Sequence, residues 1–246
     1  ERYRQLAVKN MAFLLKNFFD EGNREWKHGY KNGVASNPAF LDDYACLIQA
    51  LIHLQEITGN AAYLLKAKEL TELVLEHFED KESGLFFFTH YKQQDVIIRI
   101  KEIHDGATAS GNATMAWNLL YLSLIFDNSA YRDRAGWMVG SLAGVVSRYP
   151  TSFGMWALVI QGIYYGKNEI AIVGDRYKDI LSDVLACYVP DRVIQSSLTN
   201  NETFPLLANR HVANQTNIYL CRDYSCKNPV QKSEELMQLI EQETKR

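Results

Sequence analysis

Two short stretches carry most of the side chains that can do chemistry. Leu41–Ala45, read LDDYA, sets two carboxylates, Asp42 and Asp43, next to Tyr44. Lys101–Asn112, read KEIHDGATASGN, gathers His104, Asp105, Thr108, Ser110, Asn112 and two glycines. Two carboxyls flanking a glycosidic bond are the working parts of most glycoside hydrolases: one gives a proton, the other activates water or attacks. A histidine titrates near neutrality and can give or take a proton. Asp42, Asp43, Asp105 and His104 are therefore the candidate catalytic residues. Trp26, His28 and Tyr44 offer an aromatic platform for a sugar, and Thr108, Ser110 and Asn112 offer hydroxyls and an amide to bind it.

The same residues have plainer uses. An acid in the first turn of a helix stabilises the dipole and takes orphan N–H groups. Ser110 is placed to cap the helix after it, and Thr108 and Asn112 to close the loop. Tyr44 also suits core packing, and a lone histidine is more often structural than catalytic.

Four cysteines are too few and too scattered for a disulfide framework. Cys46 and Cys187 fall in apolar runs and read as core thiols. Cys221 and Cys226 form the candidate redox pair. Their C-x4-C spacing is not a C-x-x-C motif, and no second pair completes a zinc site. Plain thiols, a disulfide, and metal or redox exchange all stay open. His211 is the only histidine nearby, so no metal is expected. No G-x-G-x-x-G turn occurs, and no cofactor is expected.

These side chains need a frame. The 246 residues can bury a large core in one domain or two. A net charge of -3 gives no electrostatic case for nucleic acid or an anionic membrane. No apolar run reaches the roughly 18 residues of a membrane span. The opening ERYRQLAVKN lies inside a helical pattern, which argues against a signal peptide and for a fragment of a longer, cytoplasmic polypeptide.

Tyr3–Phe19, Tyr63–Phe78 and Tyr131–Tyr149 show apolar residues at helical spacing on one face only. Each opens Tyr-x-x-x-Ala. Between them lie segments apolar nearly all round: Phe40–Ile57, announced by Ser36-Asn37-Pro38, then Ser110–Phe126 and Thr151–Tyr165. Leu85–Phe88 and Val96–Ile100 are β-prone and predict a hairpin. Three helical hairpins alternating wet-backed outer helices with apolar inner ones predict a mainly α fold, part of an α/α toroid. A closed ring needs about six hairpins. The open flanks predict cover by the remainder of a longer chain or by a homodimer mate.

The toroid segment spans residues 1–166. From 167 to 246 the grammar changes to a small α/β appendix. Ile170–Val173, Val193-Ile194 and Ile218–Leu220 read as strands, and Tyr177–Tyr188 and Ser233–Glu241 as helices.

LDDYA, DGATASGN (Asp105–Asn112), the strand end Ile172–Asp175 and YLCRDYSCKNPV (Tyr219–Val230) together resemble the YyaL-type thioredoxin-domain family, which includes an animal spermatogenesis-associated member. The resemblance covers essentially the whole chain. It implies a parent with a thioredoxin-like domain followed by a six-hairpin glycosidase-like toroid, related in shape to acylglucosamine epimerases. This chain would be its C-terminal part. In that family proline is usual at the position of Ala109, and tyrosine frequent at that of His104. The first change loosens the loop and the second alters the pocket lining. The family brings no activity that can be carried over. The expected function is a carbohydrate-active toroid, hydrolase- or epimerase-like, with a sugar ligand. The alternatives are a non-catalytic scaffold for a thioredoxin-like domain, or a thiol redox role through Cys221 and Cys226.

Overall fold

The structure is a computed structural model that describes every residue except 23, 94, 224, 245 and 246, with the backbone alone at 243 and 244. The chain is mainly helical with two small sheets. α1 (Arg2–Asn17) leads into β1 (Phe19–Asp20), β2 (Glu25–Lys31) and β3 (Val34–Pro38). Five helices follow: α2 (Leu41–Thr58), α3 (Ala62–His77), α4 (Gly111–Phe126), α5 (Ser129–Arg148) and α6 (Gly154–Tyr165). The C-terminal part holds β4 (Asn168–Val173), α7 (Tyr177–Ala186), β5 (Arg192–Ser197), β6 (Asn217–Arg222), β7 (Ser225–Cys226) and α8 (Ser233–Thr244).

α4 is the centre. Fourteen of its sixteen residues are buried, because α2 packs on one side, α6 on the other and α5 behind. Its apolar sequence all round is what such a position requires. Asn118 survives there because its Nδ2 donates to the Ala45 carbonyl of α2 at 2.9 Å. The tight pairs are α2 with α3 and α4 with α5, joined by short turns, so each apolar helix precedes its wet-backed partner. The sequence had suggested the reverse pairing. Gly59 in the left-handed region ends α2, and Asp127 ends α4 in the same way.

α6 departs from expectation. Only Trp156, Val159 and Gly162 are buried, while Leu158, Tyr164 and Tyr165 stand exposed. The row of helices stops at α6, so among the described residues no further helix covers its far face. At the other end, α1 buries Met11 alone. No helix among the described residues is long and apolar enough to cross a membrane.

The loops differ more. Ser36-Asn37-Pro38 does not start a helix; Pro38 pairs with Lys27 across β2 and β3. The turn is Asn32-Gly33, both left-handed at φ 52° and 82°, as a two-residue hairpin demands. Among the described residues of 85–100, no strand pair forms. One bridge joins Glu79 to Phe86, and the Phe88 N–H donates to Ile100. Ile97 and Ile98 are left in solvent.

The second sheet has order β5-β4-β6-β7, with β4 parallel to β5 and antiparallel to β6. Every residue of β4 is buried, since both faces are covered. Ala171, Val173 and Val193 join the helical core, and Ile170, Ile172 and Ile194 face α7 and α8. A polar clasp also crosses the joint. Tyr121 Oη donates to Glu56 Oε1 at 3.1 Å and accepts the Ile194 N–H at 3.3 Å.

Candidate functional site

An open cavity of about 470 Å³ lies between α1, β2 and the first half of α2. Leu14, Phe18, Trp26, Tyr44 and Leu47 form its apolar wall, with His28, Asp42 and Asp43 among its polar groups. Successive residues of a helix point about 100° apart, so the two acids diverge. Asp43 turns back: its Oδ2 accepts the Phe40 N–H at 2.8 Å and lies 2.8 Å from His28 Nδ1. This is half a capping box; Phe40 has no oxygen to complete it. His28 is brought from β2 and its ring packs against Phe40. Its side chain is about half exposed.

Asp42 turns inward, towards the start of α4. Its Oδ1 is shut from solvent with no donor in good hydrogen-bond geometry; the nearest is the Gly111 amide. Burial raises its pKa first, and the charges of Glu102 and Asp43 add to this, against the pull of the Gly111 N–H. Asp42 is thus held towards its neutral form, beside an acid that accepts the Phe40 N–H and pairs with the His28 ring.

The remaining predicted residues fall elsewhere. Asp105 Oδ1 accepts the Ser110 N–H at 3.0 Å and Oδ2 the Met155 N–H at 2.7 Å. Both oxygens are spent on helix starts, which makes Asp105 a brace between α4 and α6. Ser110 caps α4 by accepting from Ala113 N at 3.2 Å. Asn112, fully buried, exchanges two hydrogen bonds with the Phe86 backbone and donates to Glu102 O. His104 is exposed and packs on Phe153; Thr108 is exposed and its carbonyl accepts from Gly106 N. Neither lines the cavity.

Trp26 and Tyr44 line it but are almost wholly buried, at 4% and 6% exposure, so they are wall rather than open platform. Burial pushes the Tyr44 hydroxyl up to about 12. Cys46 is not a core thiol: it is exposed on the cavity. Glu102 was missed. Its only signal was its place in the 101–112 stretch. Gly111 was missed as well. A Cβ there would collide with Asp42 Oδ1 and sit 3.0 Å from Leu41, so glycine is what lets the carboxylate lie against α4. No group of three or more His, Cys, Asp or Glu among the described residues is placed to hold a metal.

Cys221 of β6 and Cys226 of β7 face each other in register and are joined by a disulfide. Cys187 is partly buried as a free thiol.

Fold and site together define a layered helical-hairpin protein with a small mixed sheet and an acid-rimmed cavity. No family profile matches the chain. It is similar to spermatogenesis-associated protein 20, as the motifs indicated. It is 25% identical to the Rattus norvegicus protein over 96% of this chain and 24% identical to the Homo sapiens protein over 98%. An uncharacterized protein of Caenorhabditis elegans is 27% identical over 97%. The chain spans about a third of the length of these relatives.

Proposed function

We propose that the cavity binds a carbohydrate and that Asp42 acts on it as a general acid. The observation that carries this reading is the different surroundings of two neighbouring acids. Asp42 is pushed towards its protonated form, while Asp43 accepts the Phe40 N–H and orients His28. A carboxyl held towards its neutral form beside the ordered Asp43–His28 pair places a proton donor next to a proton acceptor. Asp43 favours the His28 tautomer with its proton on Nδ1, which frees Nε2 to accept a proton from a sugar hydroxyl, from water or from a ring carbon. Trp26 and Tyr44 supply an apolar wall for the sugar face. This fits hydrolysis or epimerisation, and the identity of the product distinguishes them.

The frame of this reading is an arc of an α/α toroid, with α2, α4 and α6 as its inner row. Supporting it are the near-complete burial of α4 between α2 and α6, and the location of the acids at inner-helix starts. The parent, on this reading, is a longer chain with a thioredoxin-like domain and further hairpins.

The test is a panel of mono- and oligosaccharides screened by ligand-observed NMR, with product detection on the binders. Asp42→Asn is expected to keep binding and to lose turnover by at least about a hundredfold. Binding of no sugar at millimolar concentration, or turnover untouched by both Asp42→Asn and His28→Gln, overturns it. A second reading, binding without catalysis, is favoured by the bracing roles of Asp105, Ser110 and Asn112. Sugar binding with no product from any member of the panel would select it.

A further inference from the structure

The β6–β7 hairpin carries a feature that the cavity does not use. Arg210, half-buried in the loop before β6, aims its Nη2 at both disulfide sulfurs, 3.0 Å from Cys226 Sγ and 3.6 Å from Cys221 Sγ. It is clamped there. Its Nε donates to Leu206 O at 3.1 Å, its backbone carbonyl accepts from Tyr219 Oη at 2.9 Å, and the guanidinium lies 4.6 Å over the Tyr219 ring. Among the described residues no carboxylate lies within ion-pair distance of it. Glu169, which pairs with Cys221 across β4 and β6, supports its charge only from further off. A desolvated guanidinium facing a neutral disulfide is poorly matched, since sulfur in a disulfide is a weak acceptor. The same guanidinium facing a thiolate is well matched. Reduction therefore creates the partner that Arg210 lacks.

We propose that Cys221–Cys226 is a thiol-exchange site for a small thiol of the glutathione class, with Arg210 positioned to stabilise the thiolate that exchange releases. The two sulfurs differ in access: Cys226 is exposed and Cys221 is 2% exposed. The incoming thiolate attacks Cys226 Sγ. A new S–S bond forms there, the Cys221–Cys226 bond breaks, and its electron pair leaves on Cys221 Sγ beside Arg210. A second thiolate then attacks the small-molecule sulfur of the mixed disulfide and releases Cys226 as a thiolate. Two thiols are oxidised to one small disulfide, the protein disulfide is reduced by two electrons, and the two thiol protons pass to the cysteines or to solvent. The reverse sequence reduces a small disulfide to two thiols and re-forms the protein disulfide.

The experiment uses the whole chain with Cys46→Ser and Cys187→Ser, equilibrated in glutathione redox buffers, acid-quenched, alkylated and weighed. The expected result is a single two-electron transition. Arg210→Gln should make the disulfide about tenfold or more harder to reduce, and Arg210→Lys should recover part of the difference. A pair that stays fully oxidised or fully reduced across the series overturns the proposal, as does a transition unchanged in a folded Arg210→Gln variant. Should Arg210→Gln fail to fold, the single-cysteine variants decide. With glutathione disulfide, Cys221→Ser should capture glutathione on Cys226 and Cys226→Ser should capture little. Equal capture on both, or none on either, overturns the assignment.

Discussion

Asp42 of α2 lies against Gly111, the first residue of α4, so closely that no side chain fits between them. That contact ties the acid's burial, and hence its raised pKa, to the helix packing itself. Gly111→Ala must displace the carboxylate or open the α2–α4 seam. The expected cost is about 1 to 3 kcal/mol, with loss of any sugar turnover. Urea unfolding beside an activity assay checks both. An alanine variant with wild-type stability and turnover would show that Asp42 has no need of its present position.

Asp42 also predicts a trade between stability and activity. Its folded-state pKa is raised, so the folded state holds a proton that the unfolded chain gives up more easily. Stability is therefore lost as pH rises through the raised value. Asp42→Asn removes that loss. The variant should melt higher than wild type at pH 7, with the advantage shrinking as pH falls to about 3.8. Thermal scans from pH 7 to 3.5 measure this, and a variant less stable at neutral pH would contradict it.

Asp105→Ala should act on folding alone. It strands the Ser110 and Met155 N–H groups at two helix starts. Each lost cap costs about 0.5 to 2 kcal/mol. We expect a drop of about 1 to 4 kcal/mol in unfolding free energy with ligand affinity at the cavity kept within about twofold, read by chemical denaturation and NMR titration. Intact stability with abolished turnover would instead return Asp105 to the catalytic group.

Two residues set separate windows of acid sensitivity. Burial, with the charge of His77 adding to it, lowers the His90 pKa from 6.5 to about 4. The unfolded chain binds the proton first, so stability falls as pH drops from about 6.5 to 4 and is flat below. Hydrogen bonds from Lys101 and then Ser83 hold Asp80 down at about 2 against 3.8. Its contribution is present above 3.8 and lost as pH falls towards 2. His90→Asn should flatten the first slope only, and Asp80→Asn the second. Urea midpoints taken across pH 8 to 2 separate them, and a single shared slope would refute the division.

The helices were legible because helix formation is local. Spacing of apolar residues within one turn marked α1 to α6 to within a few residues, and the all-apolar sequence of α4 announced its burial. The strand runs Ile170–Val173, Val193-Ile194 and Ile218–Leu220 were also visible, each inside a longer observed strand, since continuous β-branched and apolar residues suit a sheet covered on both faces. The hairpin at Asn32-Gly33 was also local, but the proline after Asn37 suggested a helix start and hid it. LDDYA and DGATASGN were recognisable as unusual stretches for the same reason: their residue types are concentrated in a few positions.

What the acids do was decided only by contacts between distant segments. Asp105 meets Met155 fifty residues on, and nothing within its own loop distinguishes a brace from a catalyst. Asp42 and Asp43 are adjacent in the chain, yet one turns to Gly111 and the other to His28, because α4 and β2 arrive on different sides of α2. Arg210 reaches Cys226, sixteen residues on, only because β6 and β7 fold back beside the loop that carries it. Local patterning sets which elements form. The pKa and reactivity of a side chain depend on which charges, donors and apolar atoms surround it, and those arrive only when the elements pack.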